Sequence, residues 1–389
     1  MRLTVMCKSK LVNKKECRMS TITETRTVKI SEAKILITRA FKKKRPVFLW
    51  GPPGIGKSEL VEGIGASGVM GNTHVIDLRL ALFEPTDLRG YPSPDMETKQ
   101  MIWLPAADLP TAEMAAMYDT VILFLDELNS AAPSVQAAAY QLILNRRIGQ
   151  YVLPDNVVII AAGNRETDKG VTYRMPKPLE NRFVHFELRV DFQDWLNWAV
   201  APENNIDADV VGYISFAKGD LYNFDPQSSS RGFSTPRSWT FVSELLEDSE
   251  DLSAGLQTDL VAGCIGEGIA VKFMSHRQIA SDLPMPEDVL DGKVKKLETS
   301  EISAAYALAT SLCYELRDRN INGEKSGKMD NFQKSFSNFI GFMMDNFETE
   351  MVIMASRIAM QQYKLMPKQD KIERFEEYFN RYGRLVLDA

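Results

Sequence analysis

Three observations in this 389-residue sequence predict an α/β fold with a parallel sheet, continued by an all-helical portion. First, Val47–Trp50, Val121–Leu125 and Val157–Ala162 are continuous apolar runs, as expected of strands buried on both faces. Second, Val135, Ala138, Ala139, Leu142 and Ile143 fall at helical spacing between the last two runs and form one apolar stripe. Strands alternating with helices imply a parallel sheet covered on both faces. Third, the period changes from Trp195 onward, where the strong repeats are helical.

In chain order, Ser31 to Lys44 reads as an amphipathic helix with Ile35, Leu36, Ala40 and Phe41 on one side, stopped by Pro46. Val47–Trp50 is the first strand, and a glycine-rich turn leads from it into a helix beginning near Lys57 and ending near Gly68. His74–Leu78 is the next strand. Phe83 to Trp103 is a loop insertion that offers Tyr91 and Trp103, and Asn145–Leu153 is a short hairpin. Pro133 suits the first turn of the helix that follows Val121–Leu125, and Phe183–Leu188 is a weaker final strand. Helix candidates follow at Ser234–Leu246, Leu256–Phe273, Ser300–Arg319, Asn331–Phe347, Glu350–Tyr363 and Asp370–Tyr382. The breaks divide the chain into a tail (1–29), an α/β domain (30–190), a helical lid (191–285) and a helical C-terminal extension (286–389). The late methionines Met343, Met344, Met351, Met354, Met360 and Met366 are expected to be core.

Composition narrows the function. The chain is 44% hydrophobic and 25% charged, which suits a globular protein, and no apolar run approaches the ~20 residues a membrane span needs. Three histidines and four cysteines without paired spacing disfavour zinc and a disulfide framework, and suggest a reducing, cytoplasmic setting. Residues 1–19 hold six cations against the single acid Glu16. That segment is expected to be a disordered basic tail, with Met19 an alternative start. The whole chain carries −6, so residues 20–389 carry −11, which weighs against nucleic acid as partner.

The chemistry is concentrated in three places. Gly51-Pro52-Pro53-Gly54-Ile55-Gly56-Lys57-Ser58, followed by Glu59, is a phosphate-binding pattern between a strand and a helix. Its glycines let backbone N–H groups face phosphate oxygens, and the helix adds its positive end. Lys57 supplies a cation for the β- and γ-phosphates, and Ser58 a ligand for Mg²⁺. Asp126 and Glu127 follow a buried strand, at the sheet edge where such folds bind ligands. Asp126 suits the Mg²⁺ shell, and Glu127 suits polarisation of an attacking water. Asn164 follows the next strand, where an uncharged amide can contact both that water and the γ-phosphate.

Taken together, these motifs resemble an AAA+ ATPase, and more specifically the MoxR branch. The finer likeness lies in Glu84-Pro85-Thr86-Asp87-Leu88-Arg89-Gly90, Asp126-Glu127-Leu128-Asn129-Ser130-Ala131 with Gln136, and Asn145-Arg146-Arg147-Ile148-Gly149. Leu179-Glu180-Asn181-Arg182-Phe183 and Ser234-Thr235-Pro236-Arg237 complete it. The likeness covers residues 30–285. It implies P-loop AAA+ architecture, ATP and Mg²⁺ as cofactors, and a homo-oligomeric ring, a hexamer. It also implies chaperone-like remodelling or activation of a protein partner, often one bearing a von Willebrand factor A-type domain. Arg182 matches the arginine finger that reaches a neighbouring subunit's γ-phosphate. Arg237 matches the sensor 2 arginine, in the first turn of a helix that Thr235 caps and Pro236 opens. Two alternatives share the fold. One is a nucleic-acid motor or clamp loader, disfavoured by charge; the other is a nucleotide-switched scaffold, disfavoured by Glu127, which a mere binder does not need.

Overall fold

A computed structural model describes residues 26–168, 172–228, 230–280, 282–298, 301–327 and 329–387. Most of the expected N-terminal tail, including its basic cluster, lies outside the described residues.

Six parallel strands form the sheet: β1 (Thr27–Val28), β2 (Val47–Trp50), β3 (Thr73–Arg79), β6 (Thr120–Asp126), β9 (Val157–Gly163) and β10 (Val184–Leu188). Their spatial order is β1-β10-β2-β9-β6-β3. The two-strand hairpins β4–β5 (Tyr91–Asp95 with Gln100–Leu104) and β7–β8 (Arg147–Ile148 with Tyr151–Val152) stand apart from it. The chain leaves β2 for the far edge at β3, returns through β6 and β9, and then crosses to the other side of β2 to form β10. That reversal puts a switch point beside the carboxyl end of β2, where open parallel sheets bind ligands. The expected runs are the central strands, and all their residues but the partly buried Trp50 are buried because helices cover both faces: Phe48, Leu123, Leu125 and Ile159 pack on one side, Leu49, Ile122, Phe124 and Ile160 on the other.

The N-terminal boundary needs correction. Thr27–Val28 pairs with Glu187–Leu188, and Val28 is 7% exposed, so the sheet layer starts inside the segment expected to be tail. The first helix, Ile30–Phe41, buries Ala33, Ile37 and Phe41, whereas Ile35 is 72% exposed. The expected apolar face was therefore rotated, because the core packs on the i, i+4, i+8 row.

Beyond β10 the chain is helical, as expected, but its subdivision differs. Helices Phe192–Ala199, Ala208–Phe216, Pro236–Leu246, Ala254–Ile265, Glu267–Ala280, Pro286–Leu290, Ile302–Ser326, Met329–Asn346 and Thr349–Arg357 share one continuous core. Trp239, Phe273, Leu312, Phe336 and Phe339 all belong to it, so the expected boundary at 285/286 does not divide two cores. The long helix Ile302–Ser326 lies on Ala208–Phe216 so closely that a Cβ added to Gly212 would collide with the Ala307 backbone. Leu256–Phe273, expected as one helix, breaks at Gly266, whose φ of 86° no right-handed helix permits. Asp370–Tyr382 is not one regular helix: a short turn at Gln369–Lys371 precedes a helical run that starts at Phe375 and widens to a π-helix over Phe379–Gly383. Met343, Met344 and Met351 are core, Met354 and Met360 pack beside it, and Met366 is exposed.

Candidate nucleotide site at the carboxyl edge of the sheet

Register places the predicted residues. Trp50 pairs with Gly163, and Arg79 with Asp126, so the segments after β2, β6 and β9 leave the same edge of the sheet. The loop after β2 runs into the helix Lys57–Ala66 through Gly56, which has φ 90°; Gly54 has φ 75°. Both conformations suit glycine, which lacks the Cβ that would clash there. Gly51 and Pro52 are buried, and Ile55 is 2% exposed with its side chain in the core, so Ile55 offers the loop only its backbone. Pro53 and Ser58 are half-buried, and Glu59 is exposed.

Lys57 Nζ donates to the carbonyls of Gly51 at 2.7 Å and Pro52 at 3.0 Å, and to Asn164 Oδ1 at 2.9 Å. Burial pulls its ammonium down to about 8, partly countered by Asp126 and Asp168. Ser58 Oγ donates to Asp126 Oδ2 at 3.2 Å. Three segments far apart in sequence therefore converge on Lys57 and Ser58. Glu127 is exposed at the same edge, with φ 55°. A left-handed conformation costs a non-glycine residue about 1–2 kcal/mol, and the turn made by Ser130 and Ala131 N–H groups on the Glu127 carbonyl holds it there. On β3, burial and the nearby Asp126 carboxylate raise the Asp77 carboxyl above its ordinary range.

A hydroxyl and a carboxylate in contact, beside a loop shaped for phosphate, make a hard-oxygen donor set of the kind Mg²⁺ takes. Among the described residues, no group of three or more His, Cys, Asp or Glu side chains could hold a metal without such phosphate oxygens.

The two arginines sit differently. Thr235 Oγ1 accepts from Ser238 N–H at 3.1 Å and caps Pro236–Leu246. Arg237 N–H donates to the Gly54 carbonyl at 3.3 Å, so this helix start touches the phosphate-binding loop. The Arg237 side chain is exposed. Arg182 precedes β10, whose first residue Val184 pairs with Val47, the first residue of β2. It therefore lies at the opposite edge from Lys57, exposed and without an ion pair among the described residues. Of the neighbouring arginines, Arg165 Nε lies 2.7 Å from Glu187 and Arg189 lies 3.6 Å from Asp191.

Two contacts at the site were not among the expectations. Asp168 bears on the Lys57 charge, and Thr235 packs on Gly54. Neither contact has a sequence signal, since each partner arrives from a distant segment; Thr235 itself was expected only as a helix cap. In the loop insertion, Tyr91 is 60% exposed, whereas Trp103 lies under the Arg89 guanidinium at 4.2 Å.

Residues 46–183 match the AAA domain of the dynein-related subfamily. Midasin of Giardia intestinalis is 27% identical over 186 residues, spanning 46% of this chain but only 4% of that protein. The Holliday junction branch migration motor RuvB of Thermotoga maritima is 18% identical and covers 65% of this chain and 74% of its own, with a TM-score of 0.33. NtrX of Brucella abortus is 14% identical, covering 91% of this chain and 73% of its own, with a TM-score of 0.39. The parallel six-stranded sheet with its phosphate-binding loop and helical C-terminal portion has the P-loop AAA fold.

Proposed function

Starting from an AAA domain over residues 46–183, we propose that this protein is an Mg²⁺-dependent ATPase of MoxR type that works as a ring, a hexamer, to remodel or activate a protein partner. The observation that carries the ATPase reading is the convergence of Lys57, Ser58, Asp126 and Asn164 at one sheet edge, with Lys57 Nζ 2.9 Å from Asn164 Oδ1 and Ser58 Oγ 3.2 Å from Asp126 Oδ2.

In this reading the loop Gly51–Gly56 wraps the phosphates with its N–H groups, and Glu59 stands at the rim. Lys57 exchanges its carbonyl partners for β- and γ-phosphate oxygens. Ser58 and Asp126 hold Mg²⁺, which neutralises phosphate charge when bound. Glu127 takes the proton of the attacking water, and the Asn164 amide orients that water against the γ-phosphate. Arg237 senses the γ-phosphate from the helical lid, whose start already touches Gly54. Arg182 lies exposed at the opposite sheet edge from its own site, a position that suits service to a neighbour's site. Loss of the γ-phosphate then releases the lid from the sheet layer, and the ring transmits that movement to its partner, a protein carrying a von Willebrand factor A-type domain among the candidates.

The test is turnover by Glu127→Gln. This variant should bind ATP as the unaltered chain does while hydrolysing it about 10²-fold or more slowly, the worth of a general base. Hydrolysis at the unaltered rate would sink the mechanism.

A further inference from the structure

Asn129 lies beside the site without facing it, and is 2% exposed. Its Nδ2 donates to the main-chain carbonyl of Asn164 at 2.7 Å. Its own carbonyl accepts from Tyr173 N–H at 2.7 Å, on the segment that runs through Lys177–Glu180 to Arg182. One residue earlier, Leu128 N–H donates to the Ala162 carbonyl at 3.0 Å. The loop after β6 is thus tied to the end of β9 through consecutive residues.

The fit is tight. A Cβ on Gly163 would collide with Asn129 Oδ1, so glycine is required there for the amide to enter. That Oδ1 is buried and has no hydrogen-bond partner among the described residues. A buried acceptor left unsatisfied is costly, and an apolar side chain of the same shape would avoid the cost. The useful half of this amide is therefore its donor.

We propose that Asn129 is a positioning residue. It holds the Asn164 peptide in register with the Glu127 turn, and so aims the Asn164 amide that meets Lys57. Through Tyr173 it also ties that register to the segment leading to Arg182. The inference rests on the ATPase reading above, in which Glu127 and Asn164 act on one water.

The experiment compares Asn129→Leu, Asn164→Ala and the double variant in the full chain, reading kcat, ATP affinity and Tm. Asn129→Leu should lower kcat about tenfold or more while the Kd for ATP stays within about twofold, as for other residues that orient a reacting group. The double variant should be no slower than Asn164→Ala alone, because both changes remove one function. Unchanged kcat in Asn129→Leu, additive losses, or ATP affinity and Tm falling in step with kcat would each overturn the proposal. Should Asn129→Leu fail to fold, Asn129→Asp keeps the size but turns an acceptor toward the Asn164 carbonyl; full activity in that variant overturns it equally. No ATP hydrolysis by the unaltered chain would instead overturn the underlying ATPase reading, and full turnover by Asn164→Ala would overturn the role of Asn164 on which the proposal rests.

Discussion

At Gly54 two constraints coincide. Its φ is 75°, and an added Cβ would lie 2.6 Å from Thr235 Oγ1. The first is a demand of the loop, and the second a demand of the helical portion packed on it. Gly54→Ala should therefore lower ATP affinity about tenfold or more, because relieving the clash must move either the loop or the helix start, and small displacements at such sites are costly. Titration with a fluorescent ATP analogue checks this; unaltered affinity would show that the contact yields freely. The residues at this scale differ in how visible they were. Gly51, Gly56, Lys57 and Ser58 are legible because their spacing along the chain is itself the chemistry. Asp168 is not, since only the turn Glu166–Asp168 brings it near Lys57.

Elements were legible where their hydrophobic period was pure. The central strands Val47–Trp50, Thr120–Asp126 and Val157–Gly163 were found because burial on both faces leaves their apolar runs without a polar interruption. The helix Ile30–Phe41 was found, but its inner face was not, since Ile35 is apolar yet exposed. In the helix Glu267–Ala280, His276 is 3% exposed, and the Asp209 backbone beside it only partly offsets that burial. Burial among Tyr213 and Phe273 lowers its pKa from 6.5 to about 4. A base with a depressed folded pKa contributes stability that is present above 6.5 and lost as pH falls toward 4, at most about 3 kcal/mol. Asp209, raised by burial to about 6, has the opposite sign: its contribution is present below 3.8 and lost as pH rises through 6. His276→Leu isolates the first effect. The fall in Tm between pH 6.5 and 4.5 should shrink in this variant, and an unchanged acid limb would place the sensitivity elsewhere.

For the whole molecule, the arrangement of arginines is the informative feature. Arg182 and Lys57 stand at opposite edges of one sheet, so a site that needs both needs two subunits. Arg182→Ala alone should lose about 10³-fold in turnover, the worth of an arginine finger. Mixing it with Lys57→Ala subunits should restore part of the activity if the proposed ring forms, because such a ring would contain junctions with Lys57 from one chain and Arg182 from the other. Mixtures that stay as inactive as their components would exclude action in trans. The helical portion bears on the same machine. Residues on both sides of 285/286 share one core, and the exposed Lys218 pairs with Glu350 across that boundary.

The sequence by itself determined the parallel sheet, its following helices and the phosphate-binding chemistry. Each of these depends on residues near one another along the chain, whose spacing and period are readable without a fold. The tertiary structure decided what depends on distant segments meeting. It placed Val28 in the sheet, merged two expected helical units around Trp239, Leu312 and Phe336, brought Thr235 onto Gly54, and set Asn129 against Asn164. Close packing makes those contacts specific, and close packing between segments far apart in sequence leaves no local period to read.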